Sequence, residues 1–391
     1  INFAPTVTGA PTTLLATEDV TTALDLSAVS FSDVDGDMLT ITLTLSAGTF
    51  TTPVNGSALG SGVTASLFNT TTITIVGSAA DINTYLDTTT NIKYTSTSNA
   101  NGAATLSILA SDGVLGLASN PTVSVDISST NDAPINAGSF PGTITVIEDA
   151  ASDIDLSALS LSDADSGSSN VILTLTATAG SLAATSTGNV TVAGLDTSSI
   201  TLTGPITDVD SFINTASAIQ YTGTNNTDGT GADNIVVKVN DNGNTGSGSG
   251  TDVALGTISV DITSVNDAPT LINNGVYDID SVNEETASVS VLISTMIADN
   301  NISAGDVDSA ASSGIAITAT TGTGSWAFST DNTTWTSVGV VANSDALLLA
   351  SSSYLHFTGD SEFAGSAGIT FSAWDQTSGT ASTNGSVATS D

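Results

Sequence analysis

Apolar residues alternate with threonine in the stretch Leu39-Thr40-Ile41-Thr42-Leu43-Thr44-Leu45. A period of two is the pattern of a β-strand that buries one face. Similar alternation recurs at residues 171–176 and 258–262, while Gly- and Asn-rich stretches such as 99–102 and 241–250 separate the apolar runs as turns. The sequence therefore predicts an all-β chain.

The composition supports the same interpretation. Ser and Thr are the most frequent of the 391 residues and Gly, Val and Ile are common, whereas the helix formers Glu, Lys, Arg, Gln and Met are scarce. A negative chain rich in Ser and Gly could instead be disordered. Hydrophobic residues make up 39% of this chain, however, and they occur with strand periodicity, so we expect a folded protein.

An internal repeat divides the chain. The stretch 25–35 (DLSAVSFSDVD) recurs at 155–165 (DLSALSLSDAD), and the link Asn131-Asp132-Ala133-Pro134 recurs as Asn266-Asp267-Ala268-Pro269. A third, more divergent copy begins near Glu284. We therefore predict three tandem antiparallel β-sandwich domains of the cadherin/immunoglobulin-like kind, strung end to end in an elongated array, at residues 1–133, 134–268 and 269–391.

The charge balance excludes several classes of function. The chain carries 39 acidic residues against two lysines and no arginine, for a formal net charge of −37. Nucleic acids and anionic membranes need a basic patch, so neither is an expected partner. The absence of cysteine excludes disulfides and thiolate sites, and the single His356 argues against a histidine-ligated metal. No apolar run is long enough to predict a membrane span.

The acidic residues recur at fixed places. Four of the five glutamates, Glu18, Glu148, Glu284 and Glu285, lie at repeat starts. The recurrent aspartates occupy Asp-x-Asp loops, the Asn-Asp-Ala-Pro links, and the ends of late strands. Carboxylates that converge at one end of a sandwich repel one another unless a cation lies between them. Ca²⁺, with six to eight oxygen ligands, is the cation that suits such a set outside the cell.

These motifs resemble those of a known family. The loop Asp163-Ala164-Asp165 and the link Asn266-Asp267-Ala268-Pro269 resemble the calcium-binding motifs of bacterial cadherin-like repeats, which are modules of large secreted adhesins and surface proteins. The resemblance covers essentially the whole chain, and it implies calcium between consecutive domains. It implies for the first junction the ligands Glu18, Asn131, Asp132, Asp163, Asp165 and Asp241. It implies for the second junction Glu148, Asn266, Asp267, Asp306, Asp308 and Asp375.

The chain also departs from the family pattern. Ser129 and Ser264 replace the first aspartate of the linker motif, so we expect one or two ions at each junction rather than three. The corresponding set in the first repeat, Asp33, Asp35 and Asp112, has Phe3 where the linker aspartate would stand. We expect that site to be degraded, with Asp37 as an alternative ligand.

The function expected from these patterns is structural or adhesive. The chain, which begins without Met, is expected to be a piece of a longer secreted protein at the bacterial cell surface, stiffened by Ca²⁺. Expected partners are homotypic head-to-tail contacts, extending to a filament or surface layer, and cell-surface or matrix components. The alternative is a glycan-binding module that uses Trp326, Trp335 and Trp374, although core or cross-strand packing better explains these residues. No enzyme is expected, because the glutamates lie at domain ends and not across a cleft.

Overall fold

Strands dominate the computed structural model, which describes residues 1–52, 56–58, 62–243, 250–272, 276–299, 304–308, 313–362 and 364–390. The all-β prediction is confirmed. The chain groups into two compact units, one made of residues 1–144, 152–221 and 233–260 and the other of residues 145–151, 222–232 and 261–391. The division into three domains at residues 133 and 268 stays a prediction.

The first repeat is a β-sandwich with one helix packed on it. Seven strands form one sheet in the order β2-β12-β11-β5-β9-β8-β7, and three form a second in the order β3-β10-β6. Neighbours in these sheets are antiparallel except β12 and β2, which pair in parallel and so differ from the predicted arrangement. The elements are β1 (Thr6–Thr8), β2 (Thr13–Thr17), β3 (Thr22–Ala23), β4 (Ser30–Ser32), β5 (Leu39–Leu45), β6 (Thr49–Thr52), β7 (Gly56–Ala58), β8 (Val63–Asn69), β9 (Thr72–Gly77), α1 (Ala79–Leu86), β10 (Lys93–Thr95), β11 (Gly102–Ser111) and β12 (Thr122–Ser128).

The alternation in β5 produces the core of this sandwich. Leu39, Ile41, Leu43 and Leu45 are all buried, and the threonines between them are exposed or half-buried. Side chains from the second sheet, including Tyr94 on β10, join the same hydrophobic cluster. The two sheets therefore share one core, and apolar burial stabilises the sandwich without disulfides.

Helix α1 was not predicted from the sequence, although it carries a local signal. The Ser78 hydroxyl caps it by accepting the Asp81 N–H, and Ile82 and Tyr85 are buried at helical spacing. Asn83 on the same helix accepts the Phe31 N–H at 2.8 Å and donates to the Phe31 carbonyl at 3.0 Å. The helix thereby fixes β4, the strand that leads into the first Asp-x-Asp loop.

The second repeat follows the same plan. Strand β17 pairs antiparallel with both β20 and β22. The Asp210 carboxylate, on helix α2, accepts the Leu161 N–H at 2.6 Å and so fixes β16 as Asn83 fixes β4. The elements are β13 (Ile135–Asn136), β14 (Thr143–Ile147), β15 (Ser152–Asp153), β16 (Leu161–Ser162), β17 (Asn170–Ala177), β18 (Ser181–Ala184), β19 (Thr191–Ala193), β20 (Ser199–Pro205), α2 (Ile206–Ile213), β21 (Ile219–Thr222), β22 (Gly229–Asn240) and β23 (Val253–Thr263).

The third repeat contains two four-stranded antiparallel sheets, in the orders β25-β31-β28-β29 and β32-β27-β30-β33. Buried residues of both sheets, among them Ile315 and Phe328, form one cluster with helix α3. Strands β28 and β29 pair antiparallel as a hairpin, with Trp326 on β28 and Trp335 directly before β29. The elements are β24 (Thr270–Leu271), β25 (Val291–Leu292), α3 (Ile293–Ile297), β26 (Ala304–Gly305), β27 (Gly314–Thr321), β28 (Gly324–Ser329), β29 (Thr336–Ser337), β30 (Ala346–Ala350), β31 (Tyr354–Gly359), β32 (Gly368–Trp374) and β33 (Thr389–Ser390).

Candidate metal centres

The first candidate centre is built around a completely buried glutamate. Glu18 follows β2 directly, and its N–H donates to the carbonyl of Ser128, the last residue of β12, at 3.0 Å. The Glu18 side chain is 0% exposed. Its Oε1 accepts the Thr130 N–H at 2.6 Å, whereas its Oε2 is buried and has no hydrogen-bond partner among the described residues. A buried anionic oxygen without a partner is costly, so this atom is suited to bind a cation.

The linker holds two further acidic groups in place. The Asn131 Nδ2 donates to Asp241 Oδ2 at 2.8 Å, and Asp241, which follows β22, is 1% exposed. The Asp132 N–H donates to Asp165 Oδ2 at 2.5 Å. Asp132 Oδ2 is itself buried and unpartnered among the described residues. The chain therefore fixes its linker through the acidic side chains of the following repeat.

The Asp-x-Asp loop supplies the remaining carboxylates. Asp163 Oδ1 accepts the N–H groups of Asp165 at 2.8 Å and Ser166 at 2.7 Å, which closes the loop. Its other oxygen, Oδ2, is buried with no partner in the described part of the chain. Because one oxygen of Asp163 already shapes the loop, the other stays available to a ligand.

Three side chains of this centre converge. One carboxylate oxygen from each of Glu18, Asp132 and Asp165 lies within 4.8 Å of the others. Burial raises the pKa of Asp132, and so do the charges of its acidic neighbours, led by Asp165 and Asp19. The chain has only two lysines to offset this charge, and among the described residues the one ion pair joins Lys238 to Asp252. The carboxylates are thus held together against their mutual repulsion.

The second candidate centre repeats this arrangement around Glu148, which follows β14 and is 4% exposed. The Glu148 N–H donates to the carbonyl of Thr263, the last residue of β23, at 3.0 Å. Its Oε2 accepts the Val265 N–H at 3.1 Å. Glu148, Asp267 and Asp308 each offer a carboxylate oxygen within 4.8 Å of the other two.

The second linker also bonds to the acidic groups that follow it. The Asn266 Nδ2 donates to Asp375 Oδ2 at 2.7 Å, and the Asp267 N–H donates to Asp308 Oδ2 at 2.8 Å. The Oδ2 atoms of Asp267 and Asp306 are buried and lack partners within the described ranges. Burial and neighbouring acids, Asp149 first, raise the pKa of Asp267, whereas the Thr377 N–H and the Asn266 amide lower the pKa of Asp375.

The donor sets of both centres fit calcium. Every candidate ligand is a hard oxygen, from a carboxylate, an amide, or the main chain of the linker. Nitrogen and sulfur donors, which zinc and copper prefer, do not occur in either group of predicted ligands. The residues that would hold an ion are Glu18, Asp132, Asp163 and Asp165 at the first centre, and Glu148, Asp267, Asp306 and Asp308 at the second. Such an ion would supply the positive charge that the carboxylates lack.

The first repeat contains a third, more exposed acidic group. Asp33, Asp35 and Asp37 bring carboxylate oxygens within 4.8 Å of one another. The Asn2 Nδ2 donates to Asp112 Oδ2 at 2.7 Å and the Phe3 N–H donates to Asp35 Oδ2 at 2.6 Å, so residues 2–3 reproduce the linker contacts. A benzyl group takes the place of the linker carboxylate, as expected from the sequence, and in the described part of the chain no buried glutamate belongs to this group.

Two acidic residues near the centres were not predicted as site residues. Asp19 and Asp149 follow the buried glutamates and adopt positive φ angles of 56° and 55°. Their charges contribute to the raised pKa values of Asp132 and Asp267, respectively. The recurrence of the Glu-Asp pair in both repeats is the sequence signal that could have identified them.

The three tryptophans of the third repeat make packing and hydrogen-bond contacts within that repeat. Trp374 is 8% exposed and its Nε1 donates to the Ser378 carbonyl at 2.8 Å. Trp326 packs against the core, with its ring centroid 5.2 Å from that of Phe357. Trp335 stacks on His356 at 3.8 Å between ring centroids. These contacts agree with the packing interpretation of the tryptophans, and His356 lies on β31.

No known family profile matches the chain, and no curated protein matches it. Solved structures similar to it include mouse cadherin-23 EC22–24, at 16% identity and a TM-score of 0.38, over 92% of this chain and 89% of that chain. Protocadherin gamma B2 extracellular cadherin domains 1–5 match at 13% identity and a TM-score of 0.38, over 94% of this chain and 59% of that chain.

An endo-fucoidan hydrolase of glycoside hydrolase family 107, MfFcnA4, matches at 18% identity and a TM-score of 0.21, over 67% of this chain and 29% of that one. The chain thus spans less than two thirds of the length of the hydrolase and of the protocadherin. All of these TM-scores lie below 0.5. Among the described residues, no helix has both the length and the hydrophobicity to cross a membrane.

Proposed function

We propose that this chain is a non-enzymatic, extracellular structural or adhesive segment in which Ca²⁺ fixes the linkers at residues 129–134 and 264–269. The observation that carries the proposal is the set of buried, unpartnered carboxylate oxygens at Glu18, Asp132, Asp163, Asp267 and Asp306. Carboxylates from three segments lie within 4.8 Å of one another at each centre, so a bound cation would stabilise the buried anionic oxygens. The motif resemblance to bacterial cadherin-like repeats supports the same function.

Each centre draws its ligands from three parts of the chain. At the first, Glu18 lies before the linker, Asp132 lies on it, and Asp165 lies after it. An ion bound to all three restrains the rotation of the linker, because any large change in backbone direction would separate the ligands. Without the ion, repulsion between the same carboxylates favours their separation. Calcium would therefore turn a flexible connection into a stiff one.

The proposed extracellular location agrees with the calcium affinity expected of such centres. Modules of this type bind Ca²⁺ with Kd values on the order of 10⁻⁴–10⁻³ M. Calcium at roughly 1 mM outside a cell would fill about half to nine tenths of such centres, while the much lower calcium level of a cytosol would leave them nearly empty. The same proposal places the chain at a bacterial cell surface. There it would contact a second copy of the chain or components of the matrix.

Small-angle scattering tests this function directly. The chain is measured in millimolar Ca²⁺ and again with excess chelator at equal ionic strength. We expect a well-defined maximum dimension with calcium and a broader distance distribution without it. Identical scattering in the two conditions would contradict calcium-dependent stiffening.

Substitution of the linker aspartate should have opposite effects with and without calcium. In chelator, Asp132→Asn removes one charge from a repelling group and should raise the free energy of unfolding by about 1 kcal/mol. In calcium the same variant should be less stable than the parent chain, because the centre loses a ligand. Thermal unfolding in both buffers measures the effect, with the exposed Asp228→Asn as the matched control. A loss of stability of Asp132→Asn in both buffers would contradict the expected relief of repulsion between the carboxylates.

A further inference from the structure

A groove in the second repeat lies outside both candidate metal centres. Its volume is about 650 Å³, which falls within the roughly 300–1,000 Å³ of small-molecule sites. One wall is the segment 183–190, which includes the end of β18, and the other is helix α2 with the segment 215–220 that follows it. Both walls belong to the same compact unit, within residues 152–221.

The turn that forms one wall is held by its backbone. The Val190 N–H donates to the Thr187 carbonyl at 3.0 Å, and Gly188 between them has a φ angle of 59°. The Asn189 carbonyl lies so close to Gly204 on β20 that a Cβ there would come within 2.8 Å of it. Because these contacts fix the turn without any ligand, the groove is preformed, as small-molecule sites usually are.

Two polar side chains of the groove orient each other. The Asn189 Nδ2, on the turn, donates to Asp208 Oδ2, on helix α2, at 2.9 Å. This bond uses one oxygen of the carboxylate and one N–H of the amide. The other Asp208 oxygen and the amide oxygen of Asn189 can therefore accept hydrogen bonds from a ligand.

The first repeat shows that this aspartate has been released from a structural role. Asp81 and Asp208 are each the third residue of their helix, α1 and α2. Asp81 accepts the hydroxyl of the capping residue Ser78 at 2.7 Å. A Cβ on Gly62 would lie 2.6 Å from the Asp81 carboxyl carbon, so the chain also covers this group. Helix α2 instead starts after Pro205, whose side chain cannot cap it, and Asp208 lines the groove.

The other polar groups of the groove offer mainly acceptors. The Ser211 hydroxyl donates to the Thr207 carbonyl at 2.7 Å, and the Gln220 Nε2 donates to Asp153 Oδ1 at 3.1 Å. Both donors are thus engaged, whereas the Ser211 oxygen and Gln220 Oε1 keep lone pairs for a ligand. Together with Asp208, they suit a ligand that carries several hydrogen-bond donors.

Apolar groups lie between these acceptors. Val190 and Phe212 are buried, and the half-buried methyl groups of Ala183, Ala184 and Ala218 line the groove. A sugar ring matches this pattern, because it presents hydroxyl donors around its rim and C–H groups on its faces. The net charge of −37 disfavours a carboxylate or sulfate in the groove.

We infer that this groove binds a neutral sugar, with Asp208 and Asn189 accepting hydrogen bonds from its hydroxyls and the alanine methyl groups contacting its ring. The dissociation constant should be on the order of 1 mM, because each hydrogen bond exchanged with water contributes little. The inference is independent of calcium binding, since none of these residues belongs to either candidate metal centre. It also involves none of the tryptophans of the third repeat.

Titration of the whole chain with neutral mono- and disaccharides, followed by methyl NMR of labelled alanine and valine, tests the inference. We expect a subset of these sugars to shift the Ala183, Ala184 and Ala218 methyl signals with a Kd on the order of 1 mM. Glucuronate, which is anionic, and spermidine, which is cationic, should leave the signals in place. Absence of shifts with every neutral sugar, or shifts with spermidine alone, would overturn the inference.

Three variants locate the site. Asp208→Asn replaces an acceptor by an amide donor and should weaken sugar binding several-fold. Ser211→Phe, at an exposed position of α2, should fill the groove and abolish binding. Asp196→Asn, which makes the same charge change at an exposed position of the same repeat, should leave the Kd unchanged.

Circular dichroism confirms that each variant is folded, and Ser211→Phe keeps the test decisive if Asp208→Asn does not fold. Unchanged sugar binding in either folded variant would overturn the inference, even if the parent chain binds a sugar.

Discussion

Removal of calcium should lower the melting temperature of this chain more than any single surface substitution. At calcium concentrations about 10–100 times Kd, binding to the native state alone contributes roughly 1.4–2.7 kcal/mol for each centre. Two filled centres would therefore stabilise the chain by about 3–5 kcal/mol in total. Excess chelator removes this stabilisation by bound calcium, and the carboxylates of each centre then repel one another without a cation between them. Calorimetric scans in calcium and in chelator measure the difference.

The double variant Glu18→Gln with Glu148→Gln is the control for this experiment. It removes the buried glutamate carboxylate from both centres but leaves the strands that carry them intact. Its melting temperature should depend much less on calcium than that of the parent chain. Magnesium at equal concentration should not substitute for calcium, because its strict octahedral demand does not suit a wide, mainly protein-built centre. Melting that is the same in calcium and in chelator would refute the prediction.

The second large effect is expected at a buried carboxylate that lies in neither centre. Asp233 is 3% exposed and accepts the Gly180 N–H at 2.8 Å and the Tyr221 hydroxyl at 2.8 Å. It also accepts the Ala179 N–H at 3.1 Å. Asp233→Ala would leave these buried donors without a partner, so we expect a loss of about 3–5 kcal/mol in the free energy of unfolding. The loss should be the same in calcium and in chelator.

The pH dependence of this network follows from two pKa shifts. Burial by itself would raise the pKa of Asp233, but the hydrogen bonds from Gly180, Tyr221 and neighbouring backbone groups lower it overall. A lowered carboxyl pKa stabilises the fold above the unfolded value of about 4 and loses that effect as the pH falls below it. Burial and the bond to Asp233 raise the pKa of Tyr221, so its contribution is complete below pH of about 10 and is lost at higher pH.

The first repeat supplies a matched control. Tyr94 occupies the position of Tyr221, but Ala104 stands where the second repeat has Asp233, and the Tyr94 hydroxyl is buried and unpartnered in the described part of the chain. Tyr221→Phe should cost about 1–2 kcal/mol, whereas Tyr94→Phe should cost nothing or stabilise slightly. Urea unfolding of the two variants and the parent chain measures both changes in the free energy of unfolding. Equal losses would mean that the Asp233 bond contributes nothing specific.

The strands were predictable because their signal is local. Alternation in β5 specifies both its secondary structure and its buried face, and the strand at 93–95 has counterparts at 219–222 and 354–359 in the other repeats. The helices α1 and α2 are only eight residues long, too short for composition to reveal in a chain poor in helix formers. The parallel pairing of β2 with β12 depends on how distant segments meet, which no local pattern specifies.

The candidate centres were predictable to a similar extent. The repeat motifs identified Glu18, Asp132 and Asp165, and the structure brings these residues together. Asp19 and Asp149 were not recognised from the sequence, because they act on the centres through their charge and belong to none of the ligand motifs. Metal binding itself stays a prediction.

The most direct test is a crystal structure of the chain grown in millimolar calcium, with anomalous scattering used to locate the ions. We expect anomalous density between Glu18, Asp132 and Asp165, and again between Glu148, Asp267 and Asp308. A map in which these carboxylates turn into solvent, with no ion between them, would contradict calcium binding at the linkers.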